Sequence, residues 1–269
     1  MFDLVRRLIV ERDVSLATTK AWLTSVRALV RWSGQVTPQE ACDKLSEFVA
    51  FRSATGSPYT ASFYRRTLIA ILRHGEEYGL CTLPKKVRRV RIPEHEPIGF
   101  TDVEIRLLLS FANPMQKAAI LLVRYGALRR GDVFRVRWSQ IGGDGVLRLV
   151  MGKSGRRHAV YLPPEVLVAC EAIRTDGDDR LVPFCSNMSS WNKQWLRLGR
   201  RAGVNVRRRG LQAIRRSAAS LVARDHNEVE AAKLLGHANG SGVNVFRKFY
   251  RVGQILDKPP ATPPTIAGD

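Results

Sequence analysis

The residues of this 269-residue chain that are equipped for chemistry are cations placed where apolar side chains would be expected, and one late tyrosine. In LLVRYGALRRGDVFRVRW, Arg129 and Arg130 directly follow an apolar helical run, and Asp132 comes soon after them. Two runs of strand character, VLRLVM and RHAVYLP, flank GKSG, which sets Lys153 in or beside a hairpin turn. In LQAIRRSAAS, helical spacing places Gln212 and Arg215 on one face, with Ile214, Ala218, Leu221 and Val222 turned mostly toward packing. NEVEAAKLLGH reads as a short amphipathic helix that ends at Leu235, stops at Gly236 and fixes His237 immediately beyond. Tyr250, in FRKFYRV, is the only tyrosine after Tyr161. Guanidinium and ammonium groups presented in this way suit phosphate, because they neutralise its charge and donate several hydrogen bonds to it.

The charge balance points to the same partner. With 44 Lys+Arg against 24 Asp+Glu, the chain carries a formal charge of +20, a field that favours polyanions. Up to Gly99 there are 16 basic and 10 acidic residues, and beyond it 28 and 14, so both parts are basic. That distribution fits a protein gripping one DNA duplex from two sides, and double-stranded DNA is the expected partner. RNA is disfavoured, because no aromatic-rich strand motif of the kind that stacks bases is present. Cys42, Cys81, Cys170 and Cys185 lie far apart, with no CxxC and no paired His spacing. This argues against a zinc site and against a disulfide framework, so no metal or cofactor is expected and an intracellular, reduced protein fits. The start, MFDLVRRLIVERD, is cut by charge every few residues, and no stretch approaches the roughly 18 uninterrupted apolar residues of a membrane span. Neither a signal peptide nor a membrane segment is expected; the cytoplasm, with the nucleoid, is the expected location.

These residues need elements to position them, and the patterning supplies helices. TTKAWLTSVRALVRW places Trp22, Val26, Leu29 and Val30 at helical spacing, and TPQEACDKLSEFVAFR reads as a further helix. SPYTASFYRRTLIAILRHGEEYG has Pro58 in a first-turn position, an apolar series of Phe63, Leu68, Ile71 and Leu72, and Gly79 as its stop. A small helical bundle over residues 1–83 is the consequence. In LPKKVRRVRIPEHEPIG, Pro84, Pro93 and Pro97 surround Lys85, Lys86, Arg88, Arg89 and Arg91, so residues 84–99 are expected as an extended basic linker running along a phosphate backbone. The second domain, 100–256, opens on FTDVEI, where Thr101 and Glu104 form a capping box and Phe100 and Ile105 a hydrophobic staple, starting a helix at 102. Another begins at Pro114, and after LPPEVLVACEAI the remainder reads as mostly helical. The Pro-rich tail 257–269 is expected to be disordered. Arg130 is assigned to solvent or the DNA backbone, and Arg207, Arg208 and Arg209 of RRAGVNVRRRG to DNA. The expected fold class is mainly α with one small β-hairpin.

The motifs GALRRGDV, GKSGR, QAIRRS, LLGH and FRKFY stand in an order that resembles the tyrosine recombinases, the phage-type integrase family. The resemblance covers roughly residues 100 to 252, and more loosely the first domain, which is similar to that family's core-binding module. It implies an N-terminal helical core-binding domain followed by an α+β catalytic domain, and a site-specific recombinase or integrase that cleaves and rejoins DNA through a covalent 3′-phosphotyrosyl intermediate. It implies Arg129, Lys153, Gln212, Arg215, His237 and Tyr250 as catalytic residues, no cofactor or metal, and a homo-tetramer on DNA. Arg129 and Arg215 would clamp the scissile phosphate bidentately. Tyr250, whose hydroxyl is a poor nucleophile at a reference pKa of about 10, would attack once cations activate it. Lys153 would protonate the departing 5′ oxygen, and His237 would donate to the phosphate or assist proton transfer. Asp132 is read as bracing the arginines or a helix start, and Val252, Ile255 and Leu256 as a terminal segment exchanged between protomers. Two features depart from the family's pattern. Gln212 occupies a position where the family commonly has histidine or lysine, and the segment from His237 to Tyr250 is a few residues longer than usual, with room to loop the nucleophile toward a neighbouring protomer. Alternative readings are a weak or inactive DNA-binding protein of the same fold, and a type IB topoisomerase-like enzyme.

If the cations meet phosphates, affinity for duplex DNA is expected to fall by about 10³-fold or more between roughly 50 and 200 mM salt. A dissociation constant that stays flat over that range in a fluorescence anisotropy titration would contradict the charge reading.

Overall fold

Helix starts in this chain are written as reciprocal caps. At Thr37, Thr101 and Asn113 the side chain accepts the backbone N–H three residues on, and Glu40, Glu104 and Gln116 reach back to the cap's own N–H. A computed structural model describes residues 1–94, 96–184, 188–237 and 241–256. His95, Cys185 and the tail 257–269, with its expected disorder, lie outside the described residues. The chain divides into two compact units, Met1–His95 and Glu96–Asp269.

The first unit holds α1 (Phe2–Glu11), α2 (Leu16–Ser33), α3 (Pro38–Thr55) and α4 (Pro58–Glu77). Leu8, Val26, Leu29, Leu45, Phe48, Leu68, Ile71 and Leu72 are fully enclosed between them. Helix α1 was not expected from the sequence. Its charged residues Arg6, Arg7 and Glu11 take the outer face, while Leu4, Val5 and Leu8 are buried. Helix α4 stops where Gly79 turns left-handed at φ +67° and Leu80 N–H returns to the Gly75 carbonyl at 2.8 Å.

The basic stretch after α4 is fastened to this unit rather than hanging free. Val87 and Val90 pack on its core, Arg65 donates to the carbonyls of Arg88 (2.9 Å) and Val87 (3.3 Å), and Arg88 N–H reaches Ser46 Oγ at 3.4 Å. Val87 and Val90, three residues apart, are turned inward. Lys85, Lys86, Arg88, Arg89 and Arg91 are left exposed.

The second unit holds α5 (Asp102–Phe111), α6 (Pro114–Gly126), α7 (Arg130–Val133), β1 (Val146–Val150), β2 (Arg157–Tyr161), α8 (Pro164–Glu171), α9 (Met188–Arg201), α10 (Leu211–Asp225), α11 (Glu228–Leu234), α12 (Ser241–Phe249) and α13 (Gly253–Leu256). The core is built around α6, whose residues Ala118 to Val123 are buried on every side and which packs on α8 and α10. Strands β1 and β2 form an antiparallel hairpin registered from Val146 opposite Tyr161 to Val150 opposite Arg157. Leu147, Leu149 and His158 face inward, and Arg148 and Arg157 face out. Helix α10 also packs on α11 and on the terminal α13, so Val252 and Ile255, expected to be exchanged between protomers, are buried within their own chain.

Phe100 and Ile105 are buried together at the start of α5, as the staple requires. One cation expected to face DNA is used here instead. Arg209 forks onto Glu104 at 2.6 and 2.8 Å, donates to the Gly99 carbonyl at 2.7 Å, and lies over the Phe100 ring at 4.0 Å. The physical reason is local: the capping-box carboxylate has a second oxygen pair to offer, and the apolar staple beside it suits a weakly hydrated guanidinium. Arg207 and Arg208 stay exposed.

Burial alone would raise the Glu104 carboxyl, but Arg209 and the Thr101 backbone outweigh it and hold the pKa below the ordinary value. Glu104→Gln is expected to destabilise this unit by about 2 kcal/mol at neutral pH. Because the folded pKa is depressed, the contribution is complete above the unfolded carboxylate value and is lost as pH falls through the lower folded one. Thermal melts of wild type and variant are therefore expected to converge as pH falls below the ordinary carboxylate range, and a constant gap in Tm would contradict the pairing.

Candidate active site

Arg215 is the largest fully buried side chain of the protein, with an exposure of 0 %. Its guanidinium donates through Nη1 to the Ala127 carbonyl and through Nη2 to the Leu235 carbonyl at 2.8 Å. Both acceptors are helix C-caps, Ala127 of α6 and Leu235 of α11. A helix end leaves carbonyls without intrahelical partners and carries partial negative charge, so two converging C-termini can hold a buried cation. Burial lowers the Arg215 pKa to about 10, with the charge of Arg129 acting in the same sense and Tyr250 opposing. It remains charged at neutral pH.

These two helix ends also carry the neighbours. Ala127 closes α6 in a left-handed turn at φ +43°, and two residues later Arg129 caps α7, half-buried, with its Nη1 buried and without a protein partner. Gly236 turns left-handed at φ +64° after α11. Its N–H returns to Lys233 (2.8 Å) and that of His237 to Ala232 (2.9 Å), a Schellman closure that fixes His237 where the sequence pattern expects it. Burial first, then the charges of Arg215, Arg129 and Arg156, push His237 down to about 4, so its imidazole is neutral near pH 7.

Tyr250 follows α12 and is 8 % exposed. Its ring meets His237 edge-on at 5.3 Å, and the Arg215 guanidinium stands 5.6 Å from the ring centre. Gln212 Nε2 donates to its hydroxyl at 3.2 Å. Burial would raise the Tyr250 pKa, but Arg215, the Gln212 hydrogen bond and Arg129 overcome it, and the net direction is down. The backbone is held by Ser220 on α10, whose hydroxyl donates to the Tyr250 carbonyl and accepts from Val252 N–H, both at 3.0 Å. Gln212, Arg215, His237 and Tyr250 thus meet within one chain, so the longer segment before Tyr250 does not carry it away from its own site.

Asp132 is buried, and its Oδ1 accepts from Arg135 (3.0 Å) and from Gly152 N–H (3.1 Å). It braces Arg135 and the turn of the hairpin rather than Arg129 or Arg130, which amends the expectation. Lys153 stands exposed at the hairpin's tip, and among the described residues no hydrogen bond or ion pair joins it to the cluster. Arg130 is exposed as well.

Sequence reasoning gave no role to His158 or Ser220. His158 is buried on β2, its pKa lowered by burial and by Arg215 and Arg129. Strand alternation was the available signal, since it places 158 on the same inward face as its partner Leu149. Five buried polar atoms of this region have no protein partner: Arg129 Nη1, Asp132 Oδ2, His158 Nε2, Arg215 Nε and His237 Nδ1. Most are nitrogens on cationic or imidazole groups, so the arrangement suits an oxyanion. Among the described residues, no group of three or more His, Cys, Asp or Glu gathers as metal ligands, and no helix is long and apolar enough to cross a membrane.

The profile described as "Phage integrase family" matches residues 100–250. Solved structures similar in fold include a lambda integrase tetramer bound to a Holliday junction, at 19 % identity and TM-score 0.72, covering 91 % of this chain and 75 % of that one. Lambda integrase bound to DNA is similar at 18 % identity and TM-score 0.74, with 96 % and 98 % covered. The integrase of transposon Tn1549 in complex with circular intermediate DNA is similar at 15 % identity and TM-score 0.71, with 91 % and 94 % covered. None of the curated proteins matches the sequence.

Because the Gln212 amide stabilises the ionised hydroxyl, Gln212→Leu is expected to raise the Tyr250 pKa while leaving the direction set by Arg215 in place. Titration of ring-labelled tyrosine by NMR reads this directly; an unchanged Tyr250 titration would remove Gln212 from the site.

Proposed function

The chain belongs to the phage integrase family, and on that premise we propose that it is a site-specific DNA recombinase that cuts and rejoins strands through a 3′-phosphotyrosyl intermediate. The observation that carries this reading is Tyr250. Its hydroxyl is held by Gln212, its ring lies beside a buried guanidinium, and its pKa is shifted downward.

In this reading Arg129 and Arg215 take charge from the non-bridging oxygens of the scissile phosphate, which is the work a metal would otherwise do, so no metal is required. Tyr250 Oη gives up its proton to solvent and attacks phosphorus, the bond to the 5′ oxygen breaks, and Lys153 gives that oxygen a proton. Lys153 suits the task from a hairpin turn that is tied down at Gly152, the residue before it. Neutral His237 donates to a phosphate oxygen or assists proton transfer. Gln212 orients and stabilises the nucleophile's oxygen but exchanges no proton itself. Lys85, Lys86, Arg88, Arg89, Arg91, Arg130, Arg207 and Arg208 grip the DNA backbone, the first five on a helical core-binding domain and the rest on the catalytic domain. Lambda integrase forms a tetramer on a Holliday junction, and by that analogy four copies of this chain act together on two duplexes.

A nicked half-site suicide substrate, from the ends of the element encoding the gene, tests this. Wild type is expected to give an adduct resistant to SDS, Tyr250→Phe none, and Arg215→Lys an adduct formed about 10²- to 10³-fold more slowly. Tight, salt-sensitive binding without an adduct would make the protein a DNA-binding relative of the enzymes instead.

A further inference from the structure

The turn that carries Lys153 is held from outside the hairpin. Within the turn, the Met151 carbonyl accepts from Ser154 N–H (3.2 Å) and Gly155 N–H (2.8 Å), and Gly155 is left-handed at φ +64°. The N–H of Gly152, the residue before Lys153, goes instead to Asp132 Oδ1 at 3.1 Å. That oxygen also accepts from Arg135 Nη2 at 3.0 Å, while Arg135 Nε donates to the Gly131 carbonyl at 2.8 Å. The Arg135 guanidinium moreover takes the room that a side chain at position 152 would need. A Cβ built on Gly152 would fall onto it, with Arg135 Cζ at 2.7 Å.

The two sides of this latch differ in exposure. The Asp132 side chain is 4 % exposed and that of Arg135 is 64 % exposed. Asp132 Oδ2 is buried without a partner, so the carboxylate depends on the bonds that Oδ1 makes. Without the guanidinium, a buried carboxylate with a single remaining donor is driven to turn toward another one, and its hold on Gly152 goes with it. Gly152 lies outside the left-handed region, so what glycine supplies here is the space that the guanidinium fills. Helix α7 therefore carries Arg129 at its cap and, within its four residues, the carboxylate that holds the Lys153 turn.

Resting on the recombinase reading above, we propose that Arg135 is a positioning residue for Lys153: by holding Asp132 and filling the space against Gly152, it fixes the turn so that the ammonium meets the departing 5′ oxygen. It touches neither the scissile phosphate nor the leaving group. The group that takes charge from the phosphate and the group that gives the proton are thereby registered on one helical turn. Loss of Arg135 frees the turn and misplaces the proton donor, and a displacement of about 1 Å is enough to cost about 10²-fold in rate. That loss counts only where the departing atom needs a proton.

The test measures single-turnover adduct formation by the full chain on the suicide substrate, with the ordinary phosphodiester and with sulfur in place of the bridging 5′ oxygen. A thiolate is a far weaker base than an alkoxide and departs without a proton, so Lys153→Ala is expected to be slow on oxygen and restored on sulfur. Arg135→Met keeps an unbranched apolar stem and no donor. It is expected to slow the oxygen substrate by about 10- to 100-fold, to come within about 3-fold of wild type on the sulfur substrate, and to leave DNA affinity little changed. Gly152→Ala, whose Cβ displaces the guanidinium, should show the same pattern, and adding it to Arg135→Met should cost little more. A wild-type rate for Arg135→Met on oxygen, an equal loss on both substrates, additive costs in the double variant, or weaker DNA binding in place of slower cleavage would each overturn the proposal while leaving the recombinase reading intact. If sulfur does not restore Lys153→Ala, Lys153 is not the proton donor, and the proposal falls with that role. No adduct from wild type on either substrate would overturn the recombinase reading, and this proposal with it.

Discussion

A guanidinium sealed inside the protein, with carbonyls in place of a counter-carboxylate, is the constraint on which the second unit is arranged. Arg215 has no exposure, and it draws the C-terminal ends of α6 and α11 onto one point. Each of those ends continues directly into a site residue, Arg129 after α6 and His237 after α11, while α10 itself supplies Gln212 and Ser220. Apolar packing around α6 makes the unit stable, but it does not specify where two helix ends must meet. The buried charge does, because moving either end away strands a cation in a poorly polarisable interior, at a cost of several kcal/mol. Stability and site geometry thus share one interaction.

The same cation orders the protonation states around it. A positive field in a partly desolvated space lowers the pKa of every neighbour, with different outcomes according to the group. Burial first, and then this field, keep His237 and His158 neutral, and Tyr250 is brought nearer to ionisation against the effect of its own burial. Asp132 does not neutralise this field. Its carboxylate is engaged by Arg135 and the hairpin backbone.

Much of this was legible in the sequence where a local rule governs. The cap at Thr101, the stop at Gly236 and the shared face of Gln212 and Arg215 depend on spacings of a few residues, and the structure has all three. Where the decisive partner is remote in sequence, reading fails. Arg209 looked like the third member of a DNA-facing run, but its partner Glu104 lies on α5, 105 positions away. The stretch around Val87 looked like a free linker until the carbonyls taken up by Arg65 were known. Helix α1 was hidden because its charges were counted against a membrane segment and not weighed as one face of an amphipathic helix. His158 has no role in the sequence reading, although the alternation of a strand already places it inward. The buried state of Arg215 was not legible at all, since composition alone argues for a solvated arginine.

Ser220 has a mechanical consequence. One hydroxyl holds the carbonyl of Tyr250 and the N–H of Val252, so the peptide carrying the tyrosine is anchored to α10 on its downstream side as well as through its own helix. The carbonyl of the tyrosine and the N–H two residues on thus share one anchor on α10, which fixes the direction in which the chain leaves the reactive residue.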